Sequence, residues 1–400
     1  MNDALDSKKE ELPVKYLHIS IVTLCCFLMG LGALSFNARA AESLDTPAKQ
    51  AIIFDYGTGT TLFSKNADEK MPTSSMSKVM TIYIVFDALQ RGDLSLDSEL
   101  LVSEKAWRKG GSKMFVPVGK KIKVEDLIRG VVIQSGNDAT IVLAEGIAGT
   151  EEAFVQAMNK KAQELGMTGT HFANASGWPD PEHYSIARDL ALVTIAMIKN
   201  FPEYYHYYSE KEFTYSDIRQ TNRNPLLGMD IGADGVKTGH TEDGGYGLIG
   251  SGVGSDERRV VIVLNGMKSK KERKEEGARL MRWSLSTFKN VSLFENQPIL
   301  GEAKVYLGQR GQVNLVAKEP VSYVVSKVFS DNVKVELFYK EPLKAPVEKG
   351  QEIGKVYVYV PKSDKIEVPL IAVERIDEAG LVVRTIAKAR LLTTGMGKFK

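Results

Sequence analysis

Pro72-Thr73-Ser74-Ser75-Met76-Ser77-Lys78 opens an apolar run that reaches Leu89, and the reading of this stretch decides the fold. The run is apolar on nearly every side, which marks a helix buried inside a domain rather than lying on its surface. With the helix starting here, Ser75 falls in its first turn and Lys78 one turn on, so hydroxyl and amine share a face. Serine is a poor nucleophile at neutral pH until a neighbour removes its proton, and a neutral lysine is able to do so. A serine three residues before a lysine is common, however, and recurs at Ser286 and Lys289 on a charged segment. The pair acquires meaning only if the rest of the chain builds a site around it.

Upstream, Ala51-Ile52-Ile53-Phe54-Asp55 and Thr60-Thr61-Leu62-Phe63 flank Tyr56-Gly57-Thr58-Gly59, the pattern of two strands joined by a glycine turn. Downstream, residues 124–134 read as a helix that stops at Ser135-Gly136-Asn137, and helical spacing resumes over 139–147. Residues 150–165, closed by Gly166, and 185–199, with Ser185 as N-cap and Pro202 beyond, are two further helices. From Gly235 the period becomes that of strands. Residues 235–240, 246–253 and 259–264 are separated by Gly244-Gly245 and Gly254-Ser255-Asp256, an antiparallel meander, and 269–288 is then a helix dense in charge. Strands at both ends with helices between them predict one antiparallel sheet completed by the terminal segments and covered by helices, an α+β domain. Near Val291 the composition shifts. From there to about Glu374 the chain is strand-like, and Lys355-Val356-Tyr357-Val358-Tyr359-Val360 alternates cleanly, so a separate small β domain is expected.

Four hundred residues with 43% apolar content can bury a large core. A nearly balanced net charge of +2 argues against a nucleic-acid partner, and Lys268, Lys270, Lys271 and Lys274 read as solvated side chains. Both cysteines, Cys25 and Cys26, lie in the apolar stretch 16–34, which is followed by Ala38-Arg39-Ala40, an A-x-A pattern that predicts cleavage after Ala40. The expected organisation is a signal peptide over 1–40, a first domain over 41–288, a β domain over 291–374 and a tail over 376–400. The mature chain then has no cysteine, which suits export to a periplasm or outer membrane face. Asp3, Asp6, Glu10 and Glu11 offset Lys8, Lys9 and Lys15, so an uncleaved anchor is the alternative. In the tail, Ala379, Val382, Val383, Ile386 and Ala389 recur at helical spacing. A weak amphipathic helix associating peripherally with the outer face of the inner membrane is one reading, and a frayed polar end is the other. His171, His183 and His206 have no metal-ligand spacing, so no metal or cofactor is expected, and Tyr204-Tyr205-His206-Tyr207-Tyr208 reads as packing.

Two more elements bear on the Ser75–Lys78 pair. Ser135-Gly136-Asn137 stands out by its place in a helix break, since serine-x-asparagine also occurs at Ser35, Ser64 and Ser330. Lys237-Thr238-Gly239-His240 is the only lysine-threonine-glycine in the chain, and Gly235 before it and Gly239 within it allow a strand to approach another backbone or a substrate closely. In this order, with roughly 60 and 100 residues between them, the three elements resemble those of the penicillin-binding protein and serine β-lactamase superfamily. Leu127-Ile128-Arg129-Gly130, Gln134-Ser135-Gly136-Asn137-Asp138-Ala139, Thr170-His171-Phe172-Ala173-Asn174, Lys237-Thr238-Gly239-His240-Thr241 and Ser269-x-x-x-Arg273-x-x-Glu276 look more specifically like the low-molecular-mass D-alanyl-D-alanine carboxypeptidases. The resemblance runs over about residues 43–288, and the β segment has the position of that family's second domain.

The resemblance implies a transpeptidase-like domain, with a five-stranded antiparallel sheet and helices on both faces, and a role for each matching residue. Ser75 would attack the carbonyl between two terminal D-alanines of a peptidoglycan stem pentapeptide, with Lys78 as general base. Ser135 would relay the proton to the leaving amine, and Asn137 would hold the substrate amide. Lys237 would sustain positive potential, Thr238 and Arg273 would bind the terminal carboxylate, and the main-chain N–H groups of Ser75 and His240 would form the oxyanion hole. β-Lactam antibiotics would acylate the same serine. The physical demand is severe: a lysine ordinarily titrates near 10.4, so a base for pH 7 needs a fall of roughly 3 units, about 4 kcal/mol. Burial and a second cation, Lys237, are expected to supply it. A serine β-lactamase and a catalytically silent wall-binding or β-lactam-sensing protein stay open as alternatives. The first needs a carboxylate and water placed for deacylation, and no acidic residue in the sequence can be assigned to that task.

Overall fold

The computed structural model describes residues 14–19, 44–361 and 365–386. Most of the expected signal segment, including Cys25 and Cys26, and the tail beyond 386 lie outside the described residues. The chain divides into two compact units, Phe36–Phe288, and Lys289–Lys400 together with Met1–Ser35.

In the first unit the elements follow one another as β1 (Gln50–Asp55), β2 (Thr61–Lys65), α1 (Lys78–Arg91), α2 (Val124–Val132), α3 (Asn137–Ala148), α4 (Glu151–Glu164), α5 (Ala187–Asn200), β3 (Ala233–Thr241), β4 (Gly245–Val253), β5 (Arg259–Met267) and α6 (Lys270–Thr287). The strands form one five-stranded antiparallel sheet in the order β2-β1-β5-β4-β3, the expected sheet with its terminal strands meeting in the middle. Alternate residues leave opposite faces. Ile52, Phe54, Val261 and Val263 enter the core shared with α1 to α5, while Ala51, Ile53, Val260, Ile262 and Leu264 pack with Ala278, Leu280 and Met281 of α6. Both faces are thus covered. Helix α1 is buried from Lys78 to Phe86, as its all-round apolar sequence requires, and each fully buried aliphatic or aromatic side chain contributes about 1.5–3 kcal/mol. Tyr205, Tyr207 and Tyr208 are also part of that core, so the aromatic cluster is packing.

Two helix starts differ from the sequence reading. Ser75 does not lie in the α-helix: residues Ser74–Ser77 form a 3-10 turn ahead of it, with Met76 N–H bonded to Thr73 O at 3.1 Å and Ser74 at φ +51°. Ser185 is not the N-cap of α5; Ile186 takes that position, because the Ser185 hydroxyl is engaged by Thr170 Oγ1 at 2.6 Å. Thr150 and Ser269 do cap α4 and α6, accepting from Ala153 and Glu272 N–H.

The second unit is a seven-stranded sheet. Gly301–Tyr306, Gln312–Ala317, Ile366–Ala372, Glu352–Tyr359 and Lys334–Lys340 are successive antiparallel neighbours, Leu343–Lys344 lies parallel at one edge, and Val14–Ile19 pairs with Lys334–Lys340 at the other. The alternation read over 355–360 is explained here: Val356 and Val358 are fully buried with Leu337 and Leu370, while Lys355 faces out to pair with Glu367. Residues 381–386 are helical, but Ala379 is not part of their apolar face; it is buried, with its N–H bonded to Leu307 O at 2.8 Å.

Candidate active site

The 3-10 turn leaves Ser75 half-buried, and the first residue of α1, Lys78, sends its side chain back to the Ser75 hydroxyl. Lys78 Nζ lies 2.9 Å from Ser75 Oγ, 2.7 Å from Asn137 Oδ1 and 2.6 Å from the Ser176 carbonyl, with the residue fully buried. An amine so enclosed loses the hydration that favours its charged form, and its pKa is pushed down to about 7, first by burial and then by the positive charges of Arg223 and Lys109, against a small opposing effect of Asp138. The turn itself is held by close backbone contacts. Gly177, at φ +76°, sits so near the Ser74 carbonyl that a Cβ there would be 1.9 Å from its oxygen, and a Cβ on Gly239 would come within 2.8 Å of Thr73 O. Only glycine permits both approaches.

The break between α2 and α3 brings the second element to the same place. Ser135 adopts φ +66°, a left-handed conformation costly for a serine, and its Oγ accepts from Lys237 Nζ at 3.0 Å. Asn137, beyond accepting from Lys78, donates from Nδ2 to Gly110 O at 2.9 Å, and its main-chain N–H donates to Ser112 O at 2.7 Å. The loop that provides those carbonyls is fixed by Asp138, whose buried carboxylate accepts from the main-chain N–H groups of Met114, Phe115, Val116 and Ala139.

Strand β3 supplies the third element. Lys237 and Thr238 are buried, and His240 is exposed beside Tyr246, their rings 4.0 Å apart. Arg273, in the first turn of α6, is also buried, with its guanidinium 5.6 Å from the Tyr246 ring, yet its Nε has no hydrogen-bond partner among the described residues. A buried N–H left without a partner is costly, and the planar guanidinium can donate two parallel N–H···O bonds to a carboxylate. The sequence-predicted residues Ser75, Lys78, Ser135, Asn137, Lys237, Thr238, His240 and Arg273 therefore all belong to one unit, and direct hydrogen bonds join Ser75, Lys78 and Asn137 in one group and Ser135 and Lys237 in another.

Lys237 and Lys78 repel one another across the site: the Lys237 ammonium is held well below the ordinary range, by burial first and then by Lys78, Arg223 and Arg273. The cation acting on Lys78 most strongly is Arg223, anchored to Ser112 Oγ at 2.6 Å. The sequence reading missed Arg223, the Ser176 carbonyl and Asp138. Asp138 alone carried a signal, its position directly after Ser135-Gly136-Asn137.

Residues 37–268 match the family model for D-alanyl-D-alanine carboxypeptidase, and residues 288–378 match that for the penicillin-binding protein 5 C-terminal domain. The D-alanyl-D-alanine carboxypeptidase DacA of Haemophilus influenzae is 37% identical over 372 residues, covering 90% of this chain and 94% of its own. The crystal structure of penicillin-binding protein 5 from the same organism superposes with a TM-score of 0.73 at 36% identity, over 84% of this chain and 99% of that one. Penicillin-binding protein D2 of Listeria monocytogenes, solved in its ampicillin-bound form, matches 60% of this chain and 97% of its own with a TM-score of 0.55 and 30% identity. Neither the β-lactamase nor the silent wall-binding alternative is favoured by these matches. With the expected five-stranded sheet, the C-terminal β domain and likeness over nine-tenths of its length, the chain belongs to the D-alanyl-D-alanine carboxypeptidase family of serine hydrolases, the low-molecular-mass penicillin-binding proteins.

Proposed function

We propose that Ser75 Oγ attacks the carbonyl carbon between the two terminal D-alanines of a peptidoglycan stem pentapeptide, while the neutral Lys78 amine takes the hydroxyl proton. The C–N bond breaks, Ser135 passes a proton to the departing amine of D-alanine, and water then hydrolyses the Ser75 ester to release the tetrapeptide. Asn137 orients the substrate amide, and Thr238 and Arg273 hold the terminal carboxylate. The observation that carries this reading is the 2.9 Å contact between Ser75 Oγ and an amine whose pKa is near 7. The unpartnered Arg273 Nε supports the carboxylate assignment. Beside the turn that carries Ser75, a cleft of about 510 Å³ lined by Ser74, Trp178, His183, Tyr184 and Thr241 offers room for the rest of the stem. In a β-lactam the same attack opens the ring, and the Ser75 ester persists as an adduct.

The test is direct. Purified protein given a pentapeptide mimic is expected to release stoichiometric D-alanine, and labelled penicillin is expected to remain bound for many minutes. Absence of D-alanine release would refute the carboxypeptidase reading, and loss of the label within seconds would point to a β-lactamase.

We further propose export, cleavage after Ala40 and peripheral attachment to the outer face of the inner membrane. Cleavage would leave Lys334–Lys340 as the sheet edge, where lysines discourage edge-to-edge pairing. No helix among the described residues is long and apolar enough to cross a membrane. Leu381, Val382, Val383 and Ile386 are 82, 73, 58 and 53% exposed, apolar side chains that a lipid surface would cover. Deleting the residues after Gly380, which spares the buried Ala379, is expected to move the protein from the membrane to the soluble fraction; unchanged partition would reject attachment by the tail.

A further inference from the structure

Beneath the turn that carries Ser75 runs a buried polar chain for which the proposed chemistry has no use. Thr73 Oγ1 and Ser77 Oγ are 2.5 Å apart, Ser77 Oγ is 2.7 Å from His183 Nε2, and Ala173 N–H donates to His183 Nδ1 at 3.2 Å. Thr73, Ser77 and His183 are all buried. Because Nδ1 accepts a main-chain N–H, the ring proton belongs on Nε2, which then donates to Ser77 Oγ and leaves the Ser77 proton for Thr73 Oγ1. Burial, opposed by Asp180 and assisted by Lys78 and His171, lowers the imidazole pKa to about 4, so the ring is neutral wherever Lys78 is.

The segment bridged by His183 also provides two carbonyls to helix α1. Ala175 O accepts from Thr81 Oγ1 at 2.6 Å, and Ser176 O accepts from Lys78 Nζ at 2.6 Å. Residues 173–183 thus grip the chain at Ser77, Lys78 and Thr81, and the same Lys78 amine lies 2.9 Å from Ser75 Oγ. We propose that His183 is a positioning residue: its neutral imidazole, bridging Ala173 N–H and Ser77 Oγ, locks the segment presenting the Ser176 carbonyl to Lys78 against the turn presenting Ser75. It touches no reacting atom and acts by fixing the separation of hydroxyl and amine. The proposal rests on the roles of Ser75 and Lys78 given above.

Two isosteric replacements divide the bridge. His183→Gln places an amide N–H where Nε2 stands, whereas His183→Asn keeps an acceptor for Ala173 but loses the donor to Ser77. Penicillin acylation and D-alanine release are measured for both, for Ser77→Ala and for Ser77→Ala combined with His183→Asn, with melting temperatures alongside. His183→Gln is expected to stay within about 3-fold of the parent, the loss of scale of a neutral hydrogen bond. His183→Asn is expected to lose about 30-fold in kcat with a much smaller change in KM, since the carboxylate pocket is untouched and His183 is only 5% exposed where it lines the cleft. Its acylation profile should move to higher pH as Lys78 gains solvent, and the double variant should be no worse than the poorer single one, because both changes break the same bond. Unaltered kcat and pH profile in His183→Asn, or additive losses in the double variant, or equal losses in Gln and Asn variants that track only melting temperature, would overturn the proposal while leaving the carboxypeptidase reading in place. A parent protein that neither acylates nor releases D-alanine would overturn both.

Discussion

Ser75→Ala is expected to abolish covalent labelling by penicillin and to slow D-alanine release by at least about 10⁴-fold. The magnitude follows from what is lost. Without an attacking oxygen no acyl-enzyme forms, and only carboxylate binding and oxyanion stabilisation remain, which in serine hydrolases leave a small residual rate. The fold should survive, because Lys78 Nζ keeps its bonds to Asn137 Oδ1 at 2.7 Å and Ser176 O at 2.6 Å. Intact-mass measurement after penicillin exposure, with D-alanine assay and melting temperature, checks all three parts. A penicillin adduct on the alanine protein would place the nucleophile elsewhere.

Lys78→Met is expected to lower the acylation rate by about 10³-fold, the usual scale of a lost general base. Its pH signature is more discriminating. The amine acts only when unprotonated, so with a pKa of about 7 the wild-type rate should fall about tenfold per pH unit below that value and level off above it. Residual activity of the Met protein should lack this limb. Arg223 pushes the Lys78 pKa down, so Arg223→Gln should move the limb upward, whereas Arg223→Lys should leave it near its original position. The shift is expected to be modest, about half a unit, because Arg223 is exposed and its charge is partly screened by solvent. Acylation by labelled penicillin between pH 5 and 9 reads all of these, and a pH-independent wild-type rate across 7 would exclude Lys78 as the base.

The helix and strand content was legible because burial imposes a period. Strand β5 is buried from Val260 to Met267 and α1 from Lys78 to Phe86, and apolar runs flanked by turn residues reported both. The boundaries were less legible. Nothing local in Ser-Ser-Met-Ser separates an i+3 from an i+4 hydrogen bond; the tight turn holds because Gly177 and Gly239 press their backbones against Ser74 and Thr73. Ser185 looked like a cap, yet its hydroxyl found Thr170 across a tertiary contact instead.

By itself the order of residues determined which elements form and, through the resemblance its motifs carry, which side chains to look for, since periodicity and motif order are properties read along the chain. Only the tertiary structure decided the state of the amine on which the proposed chemistry depends. Lys78 takes its carbonyl partner from a residue 98 positions away, and the charge that lowers its pKa most is that of Arg223, which no motif singled out. Desolvation and Coulomb repulsion depend on distance through space and on exclusion of water, and neither is written in the spacing of residues along a sequence.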